Sequence, residues 1–549
     1  MRIVVSILIA VVLVVGVIIS LPFLINLNEY QDQYKPLIEE ALNRKVQLQD
    51  IRLTIWPQFG ARVAGFTVLD DPAFGSSLFT SLQSLDVEVK LMPLLGGKLE
   101  IEGITLRDPV ITVIKNKNGV LNVSTIGRTG VGLPQTPSRA PIPSPEGPLK
   151  ILALLAVDRV SIAGGTVTYR DLSAAEPAEY TLQDIALLLR SVRLGHSPNL
   201  HVEMLIQPFS MPVKLDGTFG PLKESSDIDA INLKLALGKT EFTITGKTVG
   251  QNANLRISAP IINTADLPVT LPLQNPIEVK TLQIAAEVQG QDILLPNLSF
   301  QLFDGQVTAE GKVTSGSETS PFTGRMMIER MQLGRALNVL ASAPVAISGT
   351  AGVDLAMQGR GFSNPDIMQS LEALGHVVVK DGKIEGVNLL QETISLLKVI
   401  DVSLDNAKVT AFSTIETDLA IKKGVIHVQR LLMDSHDFQA TGGGTIGFDR
   451  ALGLTINLNL SEDLSRQIAR ASPAAKLAMR EGRLSLPLAI TGTIHEPAYG
   501  LDTKRMAGKA QEQVQKKIEE AVGELLKGET KPKDLKRQGR DLLKGLLGR

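Results

Sequence analysis

The sequence predicts a mainly β fold, with a long antiparallel sheet, one transmembrane helix at the amino terminus and a few short helices. Two observations predict this fold. Apolar and polar residues alternate with a period of two through many stretches, whereas residues 3–25 are almost entirely aliphatic. The alternation is typical of antiparallel strands covered on one face, because parallel strands buried on both faces are apolar at nearly every position.

The alternation is clearest in the last third of the chain. Ile415, Leu419 and Ile421 are separated by residues that include Glu416 and Asp418, so one face of this strand is apolar and the other is charged. The same period predicts two further apolar strand faces, one formed by Leu452, Leu454, Ile456, Leu458 and Leu460, and one formed by Leu484, Leu486, Leu488 and Ile490. It also recurs from 231 to 237 and from 282 to 288.

Composition excludes several classes of function. The formal net charge of the 549 residues is -1, so the chain has no basic excess with which to neutralise a nucleic acid. The chain contains no cysteine, which excludes disulfides, thiolate metal sites and cysteine nucleophiles. Clustered histidines and a G-x-S-x-G motif are also lacking. We therefore predict no enzymatic activity, no metal, no cofactor and no nucleic-acid partner.

Residues 3–25 are long enough to cross the hydrocarbon core of a bilayer as a helix. The competing interpretation is a cleaved signal peptide, but no small-residue cleavage site follows before Glu29. Arg2 precedes the apolar run and Glu29 and Asp32 follow it, which favours a cytoplasmic amino terminus. We predict a single-pass inner-membrane protein with nearly all of the chain in the periplasm.

Periodicity predicts short helices at 30–42, 333–341, 366–374, 389–399 and 461–479. Composition and periodicity together divide the chain into six predicted segments. The segments are an anchor (1–25), an amino-terminal β module (26–126), a Pro-rich linker or loop (127–148), middle β repeats (149–345), a carboxy-terminal β module (346–502) and a charged tail (503–549). The tail is expected to be amphipathic or disordered and to contact the outer membrane or a partner there.

Several stretches resemble the AsmA family of Gram-negative envelope proteins. The stretches KLEIEGITLRDP at 98–109 and NGVLN at 118–122 resemble the family's amino-terminal repeat, and the match continues over 158–171. DGKIEGVNL at 381–389, together with 431–435 and 490–497, resembles its carboxy-terminal module. The resemblance implies a long twisted β groove that carries phospholipid between the inner and outer membranes.

An apolar sheet face needs a cover, and the sequence leaves two solutions open: a second packed sheet, or a trough filled by an apolar ligand. The resemblance favours the trough, which the twelve apolar residues named above from Ile415 to Ile490 would line. Aspartate at Ile456 and Leu458 is then expected to leave the fold intact and to repel apolar cargo. The alternative function is an envelope assembly factor that affects outer-membrane protein or lipopolysaccharide assembly without carrying lipid.

Overall fold

A computed structural model describes residues 27–55, 58–75, 78–126, 157–173, 178–225, 227–267, 275–315, 320–340, 347–361, 364–396, 408–471, 479–494 and 496–502. The predicted membrane span, the Pro-rich segment and the charged tail lie outside these ranges. Within them, no helix combines the length and apolarity needed to cross a bilayer. The described chain is mainly β and divides into two compact units, residues 1–302 with 306–324 (unit 1) and residues 303–305 with 325–549 (unit 2).

Unit 1 consists mostly of strands joined by short turns. Its strands are β1 Val46–Gln47, β2 Asp50–Thr54, β3 Gly60–Leu69, β4 Leu78–Val89, β5 Ile101–Arg107, β6 Val110–Lys115, β7 Val157–Asp171, β8 Ala178–Val192, β9 Asn199–Gln207, β10 Met211–Gly220, β11 Ile228–Leu237, β12 Thr240–Val249, β13 Asn252–Asn263, β14 Glu278–Gln289, β15 Asp292–Leu302 and β16 Gly305–Thr314. Its helices are α1 Gln31–Leu42 and α2 Leu91–Leu95, with short 3-10 turns at Leu27–Tyr30, Pro72–Phe74, Asn122–Thr125 and Thr264–Asp266.

The sheet of unit 1 is mixed, whereas the sequence predicts an antiparallel one. From β7 to β15 each strand pairs antiparallel with the next, but β5 and β6 both run parallel to β7. A parallel pair needs a long crossover, and residues 116–156 between β6 and β7 provide one. Local alternation does not reveal this pairing, because it reports which faces are covered and not the direction of the neighbouring strand.

Unit 2 continues the one-faced strands and carries more helix. Its strands are β17 Pro321–Gln332, of which residues 325–332 belong to this unit, β18 Ile347–Arg360, β19 Glu372–Glu385, β20 Val409–Lys422, β21 Val425–Asp434, β22 Phe438–Gly447, β23 Ala451–Leu460, β24 Met479–Arg480, β25 Arg483–Thr493 and β26 Pro497–Leu501. Its helices are α3 Leu333–Leu340, α4 Asn364–Ser370, α5 Leu389–Leu396 and α6 Glu462–Ala471.

Each of the five predicted helices has a counterpart in the structure, but two predictions are too long. The helix predicted at 366–374 ends at Ser370, because β19 begins at Glu372 and pairs with both β18 and β20. The helix predicted at 461–479 includes Met479, which instead begins β24 and pairs with Leu484 of β25. Antiparallel ladders join β18 through β23 in chain order, and β25 pairs with β23, β24 and β26.

Candidate functional site

A row of apolar residues runs across the sheet of unit 1, perpendicular to the strands. Each member is the register partner of the next, on thirteen strands from β2 to β15. We call it the apolar row; its members are Leu53, Ala61, Val87, Ile104, Val160, Leu189, Leu200, Gly217, Leu233, Ile244, Ile257, Ile284 and Leu298. Leu189 is buried and all the others are half-buried. Val160 and Leu200 pack against a small buried cluster that contains Leu189, and Ile284 and Leu298 pack against a second one around Leu282. The rest of the row belongs to neither cluster.

A second row on the same face widens this surface on ten of the thirteen strands, from β2 to β12. It lies two residues along each of these strands from the apolar row, and only Val202 in it is buried. Its members, again register partners in sequence, are Ile51, Val63, Leu85, Leu106, Ile162, Leu187, Val202, Leu215, Leu235 and Phe242.

The opposite face of the same strands is polar. A polar row runs beside the apolar row, shifted by one residue along each strand, and Leu188 is its one apolar member. Its members are Arg52, Arg62, Asp86, Thr105, Ser161, Leu188, His201, Asp216, Lys234, Thr243, Ser258, Gln283 and Ser299. The sheet of unit 1 therefore has one water-facing surface and one apolar surface, as period-two alternation requires.

Ion pairs stabilise the polar face. Asp86 is buried between two arginines, accepting hydrogen bonds from Arg62 Nε at 2.6 Å and from Arg107 Nε at 2.9 Å. Burial alone would raise the pKa of Asp86, but the hydrogen bonds from Arg62 and Arg107 hold it below its usual value. The carboxylate is therefore charged at neutral pH and joins β3, β4 and β5 on the side away from the apolar row.

The apolar face of unit 2 is closed at one end by helices. One cross-strand row runs through Ala351, Val379, Ile415, Met433, Ala440, Leu458 and Leu486, all register partners. Leu389, Leu390 and Ile394 of α5 and Ile468 of α6 belong to the same buried cluster. We call this cluster the closed core. Because the helices supply its cover, this end of the face needs no ligand.

Buried hydrogen bonds position the two covering helices. The Thr410 hydroxyl of β20 accepts from Leu389 N at the start of α5 and donates to Val387 O, both at 2.9 Å. The Ser465 hydroxyl of α6 accepts from Leu484 N of β25 at 2.8 Å. Each bond satisfies a backbone group that would otherwise be buried without a partner, which fixes each helix on its strand.

The twelve predicted groove residues fall into two environments. Six lie in the closed core with at most 3% of their surface exposed, namely Ile456, Leu458, Leu460, Leu484, Leu486 and Leu488. The other six are half-buried, namely Ile415, Leu419, Ile421, Leu452, Leu454 and Ile490. Of these six, Ile415 and Ile490 pack against the closed core.

The expectation that the first six residues line an open groove is therefore wrong, because all of them are protein core: Ile456, Leu458, Leu460, Leu484, Leu486 and Leu488. The physical reason is the cover by α5 and α6, which the alternation of β23 does not reveal. The prediction that the half-buried residues contact lipid stays a prediction.

The open end of the unit 2 face contains a cavity. Leu419, Val428, Gly444, Leu454 and Ile490 form one half-buried cross-strand row. Beyond it, a cavity of about 390 Å³ lies among the ends of β18, β19 and β20, with Met357, Ala373, Leu374 and Ile421 in its wall. The apolar face of unit 2 thus changes along each strand from closed to accessible.

Glycines allow the closest strand approach on this face. In β22 Gly444 has φ 148°, and a Cβ there would lie 2.1 Å from the carbonyl oxygen of Gly453 in β23. The G-x-G-x-x-G letters at 442–447 therefore belong to a strand, with a register shift in its pairing between Val428 and Leu431. They do not form a dinucleotide fingerprint, because they lie within a strand and do not open a helix.

The groove residues predicted from the sequence do not include those of unit 1. The signal was present, since Leu233 and Ile284 lie in stretches whose alternation is plain. What the sequence lacked was the register that aligns them into one row. Among the residues that the structure describes, no group of three or more His, Asp or Glu is placed to hold a metal ion.

Comparison with known proteins identifies one family. No curated protein and no solved structure matches the chain. The model of the AsmA family matches residues 2–271, which contain most of the apolar row. The resemblance of the carboxy-terminal stretches stays a prediction, since they lie beyond this match. By the match over residues 2–271, the protein belongs to the AsmA family.

Proposed function

We propose that the protein is a non-enzymatic phospholipid carrier of the cell envelope. Residues 3–25 anchor it in the inner membrane, the rest of the chain lies in the periplasm, and its apolar surface forms a groove that carries phospholipid between the inner and outer membranes. It thereby supports outer-membrane homeostasis. The observation that carries this proposal is the half-buried apolar row across thirteen strands of unit 1, with a polar row directly behind it.

Leaving such a surface exposed to water is unfavourable. Apolar area exposed to water costs about 25 cal/mol per Å², and contiguous patches of more than a few hundred Å² on soluble proteins mark binding surfaces. At the usual strand spacing the row is about 60 Å long, roughly twice the thickness of a bilayer's hydrocarbon core. Acyl chains would cover this surface while their headgroups stay in water.

In unit 2 the proposal assigns the lipid surface to the half-buried end of the face. Leu419, Leu454 and the cavity wall around Ile421 are accessible there. The closed core takes no part, because α5 and α6 already cover it.

The first test compares adjacent residues on the two faces of one strand. Ile244 belongs to the apolar row and Thr243 to the polar row of β12. A photo-crosslinking amino acid is placed at each position in the full chain, expressed in a Gram-negative host, and the products are analysed by mass spectrometry. We expect phospholipid adducts at position 244 and few at position 243. Equal adducts at both positions, or none at 244, would refute the proposal.

The second test separates lipid carriage from the alternative of an assembly factor. Leu233→Asp with Ile244→Asp places two charges on register partners of the apolar row, where both can still reach solvent. The matched control is Asn232→Asp with Thr243→Asp, at exposed positions of the same two strands. We expect the first pair to remain folded, lose bound phospholipid and fail to support the envelope, and the control to behave as wild type. An envelope function that survives the loss of lipid would favour the assembly factor.

A further inference from the structure

A strongly apolar tip projects from unit 1 between β4 and β5. It consists of residues 91–99, which include α2, and we call it the α2 tip. Three of its large apolar side chains are largely exposed: Met92 (79%), Leu95 (61%) and Leu99 (70%). Three such side chains within nine residues form a patch, unlike the single exposed apolar residues that soluble proteins tolerate.

The turn that ends α2 pairs part of the tip's backbone internally. Lys98 N donates to Pro93 O at 2.9 Å, Gly97 N donates to Leu94 O at 2.9 Å, and Gly96 N donates to Pro93 O at 3.0 Å. A segment that enters an apolar medium must pair its backbone groups internally, because no water is available there. These three bonds meet that requirement for the turn between Leu95 and Leu99.

The base of the tip is held firmly on the sheet. Lys90 N donates to Glu100 O at 2.9 Å, which closes the tip where β4 and β5 meet it. Lys90 Nζ lies 2.8 Å from Asp158 Oδ2 at the start of β7. The exposed apolar side chains therefore stand on a fixed platform.

The first described residues after the predicted anchor bind β2, which is two strands away from β4, the strand that leads into the tip. Asn28, three residues after that anchor, donates to Asp50 Oδ1 at 2.7 Å and accepts from Ile51 N at 2.8 Å. Asp50 is two strands from Ser84 in β4, and six residues along β4 lead from Ser84 to Lys90. At the usual strand spacing and rise, the base of the tip lies about 20–25 Å from Asn28.

We propose that the α2 tip is a second membrane contact, inserting shallowly into the bilayer surface from which the anchor emerges. Met92, Leu95 and Leu99 would enter the acyl boundary, and the exposed Lys98 would remain among anionic headgroups. The inference rests on the proposed anchoring by residues 3–25. The contact would also give the tip a function. Leu85, Val87 and Val89 lie on one side of β4, the strand that leads into the tip. Insertion of the tip would therefore bring the end of the apolar surface against the bilayer.

The absence of cysteine makes the test direct. The full chain carrying Leu95→Cys, labelled with an environment-sensitive fluorophore, is reconstituted in vesicles of phosphatidylethanolamine and phosphatidylglycerol that contain lipids with a nitroxide near the headgroup. The control is Val249→Cys, an exposed apolar position (55%) at the end of β12. We expect strong quenching at position 95 and little at 249.

A second variant separates membrane contact from lipid carriage. Met92→Asp with Leu99→Asp, in the Leu95→Cys background, is expected to reduce quenching at position 95 about tenfold. Equal quenching at 95 and 249, or none at 95, would overturn the inference. Shielding of the label at position 95 only after envelope proteins are added would also overturn the inference, because it would indicate a protein partner. Lipid adducts at position 244 are measured in the same samples, so failure of the carrier function and failure of the tip contact give different results.

Discussion

Replacing Leu458 by alanine should destabilise unit 2 far more than the same change at Leu454, although both side chains lie on the same face of β23. Leu458 is completely buried between Ala440 and Leu486, its register partners. Its replacement loses the transfer free energy of the side chain and leaves a cavity, so we expect a cost of about 3–5 kcal/mol. Leu454 is half-buried beside Gly444, and we expect a cost of about 1–2 kcal/mol.

The difference of about 2 kcal/mol corresponds to roughly a thirtyfold change in the local unfolding equilibrium. Hydrogen exchange of peptides from β23 and β25 in the full chain measures it, because exchange reports the free energy of opening for each segment. Aspartate at the same positions extends the comparison. Leu458→Asp buries an unpaired charge and should unfold the module, whereas Leu454→Asp should fold.

Equal losses of unfolding free energy in Leu458→Ala and Leu454→Ala would refute the reasoning. A folded and protease-resistant Leu458→Asp variant would do so as well, because it would mean that the helices do not seal this end of the face.

Three further predictions follow from individual contacts. Asp86→Asn should lower the free energy of unfolding by about 1–3 kcal/mol at pH 7. Because folding lowers the pKa of Asp86, the stability advantage of the wild type is present above the ordinary pKa of 3.8 and should shrink as the pH falls below that value. Denaturation at several pH values measures this. Gly444→Ala should lower the free energy of unfolding by about 2 kcal/mol or more, because the added Cβ would lie 2.1 Å from Gly453 O. In the control, Gly453→Ala, the added Cβ would meet only Thr445 Oγ1, at 3.1 Å, so the loss should be smaller. Thermal melting compares the two variants. Asn122→Ala should loosen the loop after β6, because its fully buried amide donates to Asp70 at 2.7 Å; proteolysis near residue 122 should accelerate, and unchanged cleavage would contradict this.

The sequence by itself determined that the strands are one-faced. Alternation is a local property, because successive side chains of a strand point to opposite faces whatever the strand pairs with. Leu233 and Lys234 therefore lie on opposite faces of β11, as their sequence pattern requires. Five short helices were also predictable from their periodicity.

Tertiary structure decided what covers each apolar face. Leu454 and Leu458 belong to the same alternating pattern, yet α5, from an earlier part of the chain, and α6, which follows β23 directly, bury only the end of β23 that contains Leu458. Likewise, the alignment of Leu233 with Ile244 and Ile257 depends on register, and the parallel course of β5 and β7 depends on a long crossover. Burial and register are properties of pairs of segments, so a pattern within one segment cannot specify them.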